Sequence, residues 1–396
     1  MTEWKECKIA DLGTVIGGAT PSTKNAANYE KGTIAWITPK DLSTFTGRYI
    51  QRGERNITEI GLKSCSTQLL PTNSVLFSSR APIGYIAIAA NEVCTNQGFK
   101  SVIPNDNTDP LFLYYLLKYN KDKIESMGSG TTFKEISGNT MKSISVRVPK
   151  DVSVQKRISA VLGMIDDKIE ENERINDNLE QQVLAMYRNK FIDTTNAERT
   201  ICRADEFFDI SIGKTPPRKE SQWFSNNPED VTWVSISDMG SCGLYIRKSS
   251  ERLTQEAVKR FNIKVVPDNT VLLSFKLTVG RIAITNGEMT TNEAIAHFKT
   301  DCKSINEYLY CFLRCFNFET MGSTSSIATA VNSKIIKGMP FVVPTNYELK
   351  EFHDIAAPMF AQIKANQNEI YNLTALRDTL LPKLMSGELD VSAIEL

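Results

Sequence analysis

The sequence predicts an α+β fold: two similar mixed α/β domains separated by two long helices that pair as an antiparallel coiled coil, in a pseudo-twofold internal repeat. Two observations support this prediction: the repeat itself and two helical stripes of apolar residues. The repeat spans almost all of the 396 residues at a period of about 195. Solenoid units run only about 20 to 50 residues, so this period describes whole domains. Four segments follow: a first domain over 1–150, a central helical spacer over 151–195, a second domain over 196–345 and a C-terminal helical spacer over 346–396.

The repeat is carried by short motifs that keep their order and spacing in both halves. Each pair is displaced by a similar number of residues, and the longest pair aligns without a gap. The pairs are Gly18–Pro21 (GATP) with Gly213–Pro216 (GKTP), Trp36–Asp41 (WITPKD) with Trp233–Asp238 (WVSISD), and Pro71–Ile88 with Pro267–Ile284.

A long amphipathic helix is predicted after each globular stretch. Apolar side chains at steps of three and four residues form a stripe on one helical face. Such a stripe needs an apolar partner, and the simplest arrangement pairs the two helices along their length, antiparallel if the halves are related by a pseudo-twofold axis. The first stripe comprises Ile158, Val161, Ile165, Ile169, Asn172, Asn176, Leu179, Val183 and Met186, and the second Phe352, Ile355, Met359, Ile363, Asn366, Ile370, Leu373, Leu380 and Leu384.

Polar residues and prolines interrupt these stripes. Asn172 and Asn366 lie in the middle of each stripe, where a buried polar residue fixes register at a cost in stability; partial exposure at a bend is the alternative. Pro358 predicts an irregular or kinked entry to the second helix, and Pro382 lies in its last turns. About 35 residues of helix span roughly 50 Å, long enough to hold two domains at a fixed separation.

Composition is that of an ordinary globular protein, with 41% hydrophobic residues. No run of 18 apolar residues occurs, and the first residues lack the layout of a signal peptide, so we expect a cytoplasmic protein with no membrane partner. Eight cysteines without a Cys-x-x-Cys pair and only two histidines argue against a metal site, and we expect the cysteines to pack in the cores.

The formal net charge is zero, but the charge is unevenly distributed. Basic residues outnumber acidic ones by 18 to 13 over 1–150 and by 17 to 15 over 201–345. Acidic residues dominate the helical parts, by 10 to 7 over 151–200 and by 8 to 4 over 346–396. This segregation suits globular domains that approach a polyanion, although acidic, solvated helix faces would explain it equally well.

Sequence motifs of the enzymes that act on nucleic acids are missing. The chain has no Gly-x-x-x-x-Gly-Lys-Ser/Thr phosphate loop, no Asn-Pro-Pro-aromatic loop and no Gly-rich cofactor loop after a clear strand. Two histidines make a histidine-based triad improbable as well. We therefore expect no catalytic residue and no metal ligand in this chain.

Three segments carry a family resemblance that covers the full length. They are Val75–Ile88 (VLFSSRAPIGYIAI) followed by Thr95–Gly98, Gly130–Ser137 (GTTFKEIS) followed by a Val-Pro pair and Gln155–Ile158, and the ending Leu380–Leu389 (LLPKLMSGEL). Together they resemble the DNA sequence specificity subunits of type I restriction-modification systems. The first looks like the family's core signature, the second the join between recognition domain and conserved helix, and the third the usual C-terminus.

This resemblance implies a subunit without catalysis, in which two target recognition domains each read half of a bipartite double-stranded DNA sequence and the helices space them. It also implies two adenine methyltransferase (modification) subunits as partners, with restriction subunits joining through the complex. S-adenosylmethionine, ATP and magnesium would then belong to those partners, and no cofactor to this chain.

Candidate DNA contacts are polar residues inside the repeated motifs, because Arg and Lys read guanine and Asn and Gln read adenine in the major groove. The second half departs from the family pattern at 274–276, 292–293 and 323–327, as two different half-sites require. For any one residue a turn hydrogen bond or solvated surface is the alternative role. The candidates are Thr20, Ser22, Lys24, Lys40, Arg80, Asn96, Gln97, Thr132 and Lys134 in the first domain, and Thr215, Arg218, Lys219, Ser237, Lys276, Thr278, Asn292, Ser323 and Ser325 in the second.

A second function stays open at this point, namely a nonenzymatic protein-binding scaffold with duplicated domains. DNA binding that is absent, or that does not weaken with salt, would favour the scaffold.

Overall fold

The computed structural model describes residues 3–130, 134–193, 199–321 and 331–391, which form two compact units. Unit 1 comprises Met1–Glu170 and Tyr371–Leu396, and unit 2 comprises Glu171–Ile370. Each unit therefore holds one globular domain together with part of each long helix. Because the units group the chain by contact, the four segment boundaries drawn from the sequence stay a prediction.

The domain of unit 1 is a mixed α/β structure. Its strands are β1 (Trp4–Lys8), β2 (Gly13–Gly17), β3 (Ile34–Ile37), β4 (Tyr49–Ile50), β5 (Arg55–Ile57), β6 (Val75–Ser79), β7 (Ile83–Ala89), β8 (Cys94–Thr95), β9 (Lys100–Pro104) and β10 (Ser145–Pro149). Its helices are α1 (Ile9–Leu12), α2 (Pro39–Ser43), α3 (Glu59–Lys63), α4 (Pro110–Tyr119), α5 (Lys121–Ser126) and α6 (Gly138–Ser143), with a 3-10 turn at Ala26–Asn28. The long helix α7 (Val152–Tyr187) follows and ends in a π-helical turn at Arg188–Ile192.

The domain of unit 2 is likewise a mixed α/β structure. Its strands are β11 (Ile201–Arg203), β12 (Asp209–Ile212), β13 (Phe224–Ser225), β14 (Val231–Val234), β15 (Tyr245–Ile246), β16 (Glu251–Leu253), β17 (Val271–Ser274), β18 (Ile282–Thr285), β19 (Thr290–Thr291), β20 (Ile295–Lys299) and β21 (Pro340–Val342). Its helices are α8 (Ala204–Phe207), α9 (Ile236–Ser241), α10 (Gln255–Arg260), α11 (Asn306–Cys315) and α12 (Ser333–Lys337), with 3-10 turns at Ser221–Trp223, Lys303–Ile305 and Phe318–Met321. The long helix α13 (Asn346–Ser386) follows.

Strand order shows that the sequence repeat is a fold repeat. Within the described residues, unit 1 has a five-stranded sheet β2-β9-β6-β7-β4, a three-stranded sheet β5-β3-β8 and the pair β1-β10. Unit 2 has β12-β20-β17-β18-β15, β13-β16-β14-β19 and the pair β11-β21. The only differing strand among these is β13, which adds to the edge of the smaller sheet. The predicted α+β class with two similar mixed domains is confirmed.

The five-stranded sheet is buried on both faces, which explains its apolar central strand. In β6, Val75 and Phe77 point into one core cluster and Leu76 into another, because successive side chains of a strand face opposite sides. The expectation for cysteines holds for Cys94 and Cys311, which are buried, but is wrong for Cys302, which is exposed in the polar loop before α11.

The two long helices pack against each other within each unit. In unit 1 the start of α7, with Ile158 and Leu162, shares a core with Leu384 near the end of α13. In unit 2 the end of α7, with Val183, shares a core with Phe352 near the beginning of α13. Start meets end in both cases, so the predicted antiparallel pairing is confirmed. Along the described residues no helix combines the length and apolar character needed to cross a membrane.

The second stripe differs from its prediction at one position. Ile355 is 56% exposed, whereas Ala356 is fully buried in the core of unit 2. A helix advances 3.6 residues per turn, so Phe352, Ala356 and Phe360 share the buried face and Ile355 turns out of it. Helix α13 continues through Pro358, and Pro382 lies in its last turns as predicted.

The asparagines of the stripes are buried rather than exposed at a bend. Asn172 is 1% exposed and donates from Nδ2 to Glu369 Oε2 at 2.8 Å. Asn366 is 5% exposed and donates from Nδ2 to Asn176 Oδ1 at 2.9 Å. Each bond joins α7 to α13, so a shift in register would leave buried amides unpaired.

The repeated Trp-to-Asp motif holds a strand and a helix together. In unit 1 the amide of Thr38 donates to Asp41 Oδ2 at 2.7 Å, and in unit 2 the amide of Ser235 donates to Asp238 Oδ2 at 2.8 Å. Each pair forms a capping box that starts α2 or α9. The motif therefore recurs because both domains need the same helix start.

Candidate nucleic-acid interface

One edge of the five-stranded sheet in unit 1 gathers the loops formed by the repeated motifs. β2 ends there at Gly17, opposite Lys100, the first residue of β9. β6 ends there at Ser79, whose amide donates to the Gly98 carbonyl at 2.7 Å and whose carbonyl accepts from the Ile136 amide at 2.9 Å. We call the segments 18–24, 80–82, 95–99 and 134–136 the edge loops of unit 1.

Three of the predicted contacts meet in these loops. The hydroxyl of Thr20 donates to Gln97 Oε1, although the two residues are 77 positions apart. Gln97 is exposed, and its side-chain nitrogen Nε2 takes no part in this bond. Asn96 uses its Oδ1 to accept the Gly98 amide at 2.9 Å, which shapes the turn that presents Gln97.

A charged cluster lies beside them. Arg80 Nη1 is 3.5 Å from Glu135 Oε2, and Lys100 Nζ is 3.4 Å from the other oxygen of the same carboxylate. The side chain of Arg80 is 37% exposed and that of Lys100 only 15%. Lys134 is exposed next to Glu135 along the chain. Glu135 therefore holds two cations at this edge while leaving the arginine accessible.

The remaining predicted residues of the first domain lie at the periphery of the edge loops. Ser22 and Lys24 are exposed, and the Ser22 carbonyl accepts from Asn28 Nδ2 at 3.0 Å. Lys40, on α2, is exposed and paired with Glu54 at 2.7 Å. Thr132 lies outside the described residues.

Unit 2 builds the same sheet edge. β12 ends at Ile212 opposite Ala296 of β20, and β17 ends at Ser274 opposite Ile295. The amide of Lys214 donates to the Thr291 carbonyl at 2.9 Å. In unit 1 the amide of Ala19 donates to the Thr95 carbonyl in the same way. We call the segments 213–219, 275–280 and 291–294 the edge loops of unit 2.

The threonine contact recurs with a different partner. The hydroxyl of Thr215 donates to Glu293 Oε2, where Thr20 donates to a glutamine. Burial raises the pKa of the Glu293 carboxyl, but hydrogen bonds from Thr215 and from its own backbone, together with the charges of Lys276 and Arg218, lower that pKa further, so it lies below its usual value. Asn292 repeats the role of Asn96 and accepts the Ala294 amide at 3.1 Å. Unit 2 therefore presents an anionic acceptor where unit 1 presents an amide.

Each domain places an arginine over an aromatic ring, in unit 1 from strand β5 and in unit 2 from an edge loop. In unit 1 Arg55 lies 4.8 Å from the centroid of Tyr29. In unit 2 Arg218 lies 4.5 Å from the centroid of Phe224 and donates to Glu251, which pairs with Trp233 as Arg55 pairs with Trp36 in unit 1. Stacking of this kind holds a guanidinium in place while its other donors stay available.

Other predicted residues of the second domain are exposed. Lys276 and Thr278 lie in the turn between β17 and β18, with the Lys276 carbonyl accepting from the Thr278 amide at 2.7 Å. Lys219 is exposed after Arg218, and Ser237 is exposed on α9. Ser323 and Ser325 lie outside the described residues.

The first edge loop of each unit begins with a glycine, because the backbone is crowded there. A Cβ added at Gly18 would lie 2.1 Å from the Asn96 carbonyl oxygen, and one at Gly213 would lie 2.2 Å from that of Asn292. Only glycine allows this approach, which brings the threonine of the next turn against residue 97 or 293. The Gly-x-Thr-Pro motif therefore positions the edge loops.

Sequence reasoning missed several residues of these edges. Lys100 and Glu135 were not candidates in unit 1, nor were Glu293 and Glu251 in unit 2. Glu135 lies inside Gly130–Ser137, Glu293 follows the candidate Asn292, and Lys100 lies two residues after Thr95–Gly98, so position in the chain was the available signal for these three. Glu251 lies far from every such segment and had no signal. Arg55 had no signal, since only the pairing of β3 with β5 brings it to Tyr29.

Chemically, these edges offer guanidinium, ammonium, amide and hydroxyl donors with a few acceptors. That set suits hydrogen bonding to base edges and phosphates. In the part of the chain that the structure describes, no group of three or more His, Cys, Asp or Glu side chains is arranged to hold a metal ion.

Comparison with known proteins gives a consistent result over both halves. A family model for the type I restriction modification DNA specificity domain matches residues 1–181 and 198–374. The type I restriction enzyme MjaIX specificity subunit of Methanocaldococcus jannaschii is 34% identical over 420 aligned residues, covering 99% of this chain and 95% of that protein. The HindI specificity subunit of Haemophilus influenzae is 24% identical over 184 residues, covering 46% of this chain and 39% of that protein.

A solved structure shares the fold. The type I restriction-modification S subunit from M. genitalium superimposes with a TM-score of 0.60 at 16% identity, covering 97% of this chain and 96% of that one. At this identity the likeness concerns the fold alone.

Proposed function

The chain belongs to the type I restriction-modification DNA specificity family, and from that premise we propose how its two domains divide the recognition of DNA. Its role is sequence-specific DNA recognition within a type I complex rather than catalysis, as the sequence predicted. Each domain reads one half of a bipartite target through its own edge loops, and the paired helices α7 and α13 set the spacing of the two halves.

One observation carries this proposal: the same sheet edge occurs in both units, but it presents different side chains in each. The turns and strand pairings recur, but Gln97 is matched by Glu293 and Arg80 by Lys276. Major-groove readout depends on the pattern of donors and acceptors, so an amide and a carboxylate at one position select different bases. Two edges of one construction with different side chains are what two different half-sites require.

Exposed lysines around the edges supply the second part of binding. Lys24, Lys40 and Lys219 lie outside the tightly bonded turns and are exposed. Contacts of lysine with phosphates position a protein on the duplex without selecting sequence. In this proposal the lysines hold the domain in place while the threonine-linked and arginine side chains read bases.

The complex around this chain is also part of the proposal. Two modification subunits dock on the chain and carry S-adenosylmethionine, and restriction subunits with ATP and magnesium join through them, so this chain binds no cofactor itself. Modification of chromosomal DNA places the assembly in the cytoplasm. Membership of the type I specificity family supports these statements.

Methylation mapping tests the division of labour. The chain is co-expressed with its modification subunit, and methylated adenines are mapped genome-wide by single-molecule sequencing. We expect a gapped two-part motif that depends on this chain, with one half changing when residues 1–150 are exchanged for those of a relative. Methylation without a gapped motif, or a motif that does not depend on the chain, would favour the protein-binding scaffold as the function instead.

Individual contacts are tested with a matched pair of arginines. Arg80→Ala removes an edge-loop arginine paired with Glu135, and Arg174→Ala removes an exposed arginine of α7 paired with Glu171 at 2.6 Å. We expect Arg80→Ala to weaken DNA binding and relax one base position, by roughly 1 to 3 kcal/mol, and Arg174→Ala to leave both unchanged. Equal behaviour of the two variants would remove Arg80 from the interface.

A further inference from the structure

The turn between β17 and β18 carries an unusually exposed leucine. Leu277 is 99% exposed, more than any other large apolar side chain in the described ranges. Isolated exposed apolar residues are common on surfaces, so exposure alone has no functional meaning. The backbone that carries this leucine and its place in the fold supply the further information.

The backbone at Leu277 is held in a conformation that L side chains seldom adopt. Its φ is +61°, and the amide of Thr278 donates to the carbonyl of Lys276 at 2.7 Å, closing a three-residue turn around the leucine. A turn of this type at a non-glycine residue is rare and costs energy. Glycine would adopt this conformation without that cost. The chain therefore carries a leucine here at the expense of stability.

A buried serine builds the turn from below, and the first domain uses the same device. Ser274 is fully buried; its Oγ donates to the Thr278 carbonyl at 2.7 Å and accepts from the Arg281 amide at 3.0 Å. Ser78, also fully buried, donates to the Pro82 carbonyl at 2.8 Å and accepts from the Tyr85 amide at 2.8 Å. The buried serine that holds the turn from below is therefore common to both domains.

The residue at the tip is one of the positions at which the two turns differ. Ala81 has a φ of +50° and stands where Leu277 stands, each three residues after the buried serine. Both tips are apolar, and each follows a cation, Arg80 or Lys276. A fixed scaffold with a variable tip at a recognition edge is the arrangement expected of a residue that selects sequence.

We propose that Leu277 is a specificity-determining residue of the second domain, which packs against the 5-methyl group of a thymine in the major groove. This inference rests on the proposed DNA-reading function of the edge loops. The thymine methyl is the apolar feature that the major groove displays, and apolar side chains recognise it by contact. Lys276, next to the leucine, supplies a cation for a neighbouring phosphate or guanine.

The test uses the assembled complex of this chain with its modification subunits and a labelled duplex that carries the methylated motif. Each thymine of the second half-site is replaced in turn by deoxyuridine, which lacks only the methyl group. Wild type is compared with Leu277→Ala and with Leu277→Gly, which also relieves the backbone. The control is Ile201→Ala, because Ile201 on β11 is 63% exposed and lies outside the edge loops.

We expect one deoxyuridine position to weaken binding by wild type about fourfold, the effect of one methyl group. The same replacement should have no further effect on Leu277→Ala or Leu277→Gly, both of which bind the normal duplex less tightly than wild type. Ile201→Ala should respond to deoxyuridine as wild type does.

Three outcomes would overturn the inference. Unchanged affinity and methylation motif in both leucine variants would show that the tip does not select sequence. Weaker binding by the variants with no sensitive thymine would exclude the methyl contact, and a rise in 2-aminopurine fluorescence next to the site would indicate a leucine wedged between bases instead. If wild type itself shows no sequence preference, the result contradicts the proposed DNA-reading function as a whole, and not only the contact of Leu277.

Discussion

Acidification should destabilise the second domain through a single buried histidine. His297, on β20, is 0% exposed; its Nδ1 lies 3.0 Å from Ser211 Oγ and its Nε2 2.7 Å from Thr291 Oγ1. Burial, together with the charge of Lys299, lowers the pKa of this imidazole to about 4. Thr291 also lines the crowded approach at Gly213, so the histidine supports the edge loops from inside.

The sign and size of the effect follow from proton linkage. In the unfolded chain a histidine binds its proton near a pKa of about 6.5, whereas His297 in the folded chain does so only near about 4. Between these values the unfolded state binds more protons, so the free energy of unfolding rises with pH. The contribution is fully present above about pH 6.5 and is lost as the pH falls towards 4. Roughly 1.4 kcal/mol per pKa unit gives a total of about 3 kcal/mol.

The assay is denaturant unfolding of the full chain between pH 4 and 7.5, for wild type and His297→Ser. Serine is the matched replacement, because Ser101 occupies the same place in the first domain, on β9 opposite β2. The difference in unfolding free energy between wild type and variant should shrink or reverse by about 3 kcal/mol on acidification, since the variant lacks the titrating group.

A difference that stays flat over this range would refute the reasoning, because it would mean that His297 titrates alike in both states. His353→Asn serves as the control. It removes the second histidine, which lies partly exposed beside Glu307. The dependence of the unfolding free energy on pH that is due to His297 should remain in this variant.

Three further predictions concern stability. Arg48→Gln leaves Glu170 without the partner that now lies 2.9 Å away, so unit 1 should lose about 1 to 3 kcal/mol in denaturant unfolding, and Glu170→Gln in the same chain should restore part of that loss. Gly213→Ala introduces a Cβ only 2.1 Å from a threonine hydroxyl, so the thermal midpoint should fall by the equivalent of about 1 to 3 kcal/mol; an unchanged midpoint would show that the edge loops can relax. Asn366→Ala removes the donor to the partly buried side-chain oxygen of Asn176, and calorimetry should show a loss of about 1 to 3 kcal/mol, whereas no loss would mean that the helices shift to solvate that oxygen.

Local periodicity and repetition were enough to predict the architecture. The 196-residue offset between Pro71–Ile88 and Pro267–Ile284 specified two copies of one domain, and the copies have the same strand order. The stripes predicted the helix pair, because the faces of a helix depend only on residues three and four apart. The same rule failed at Ile355, where alternatives one residue apart satisfy the spacing and only packing selects Ala356.

The composition of the recognition edges was decided by tertiary structure. The sequence placed Thr20 and Gln97 in separate motifs, and sheet pairing alone brings them into contact. It could not tell that Asn96 shapes a turn while its neighbour is exposed, nor that the leucine at 277 stands at the tip of a turn clamped by a buried serine. Backbone hydrogen bonds between strands distant in the chain determine which side chains reach the surface together, and no local pattern encodes that choice.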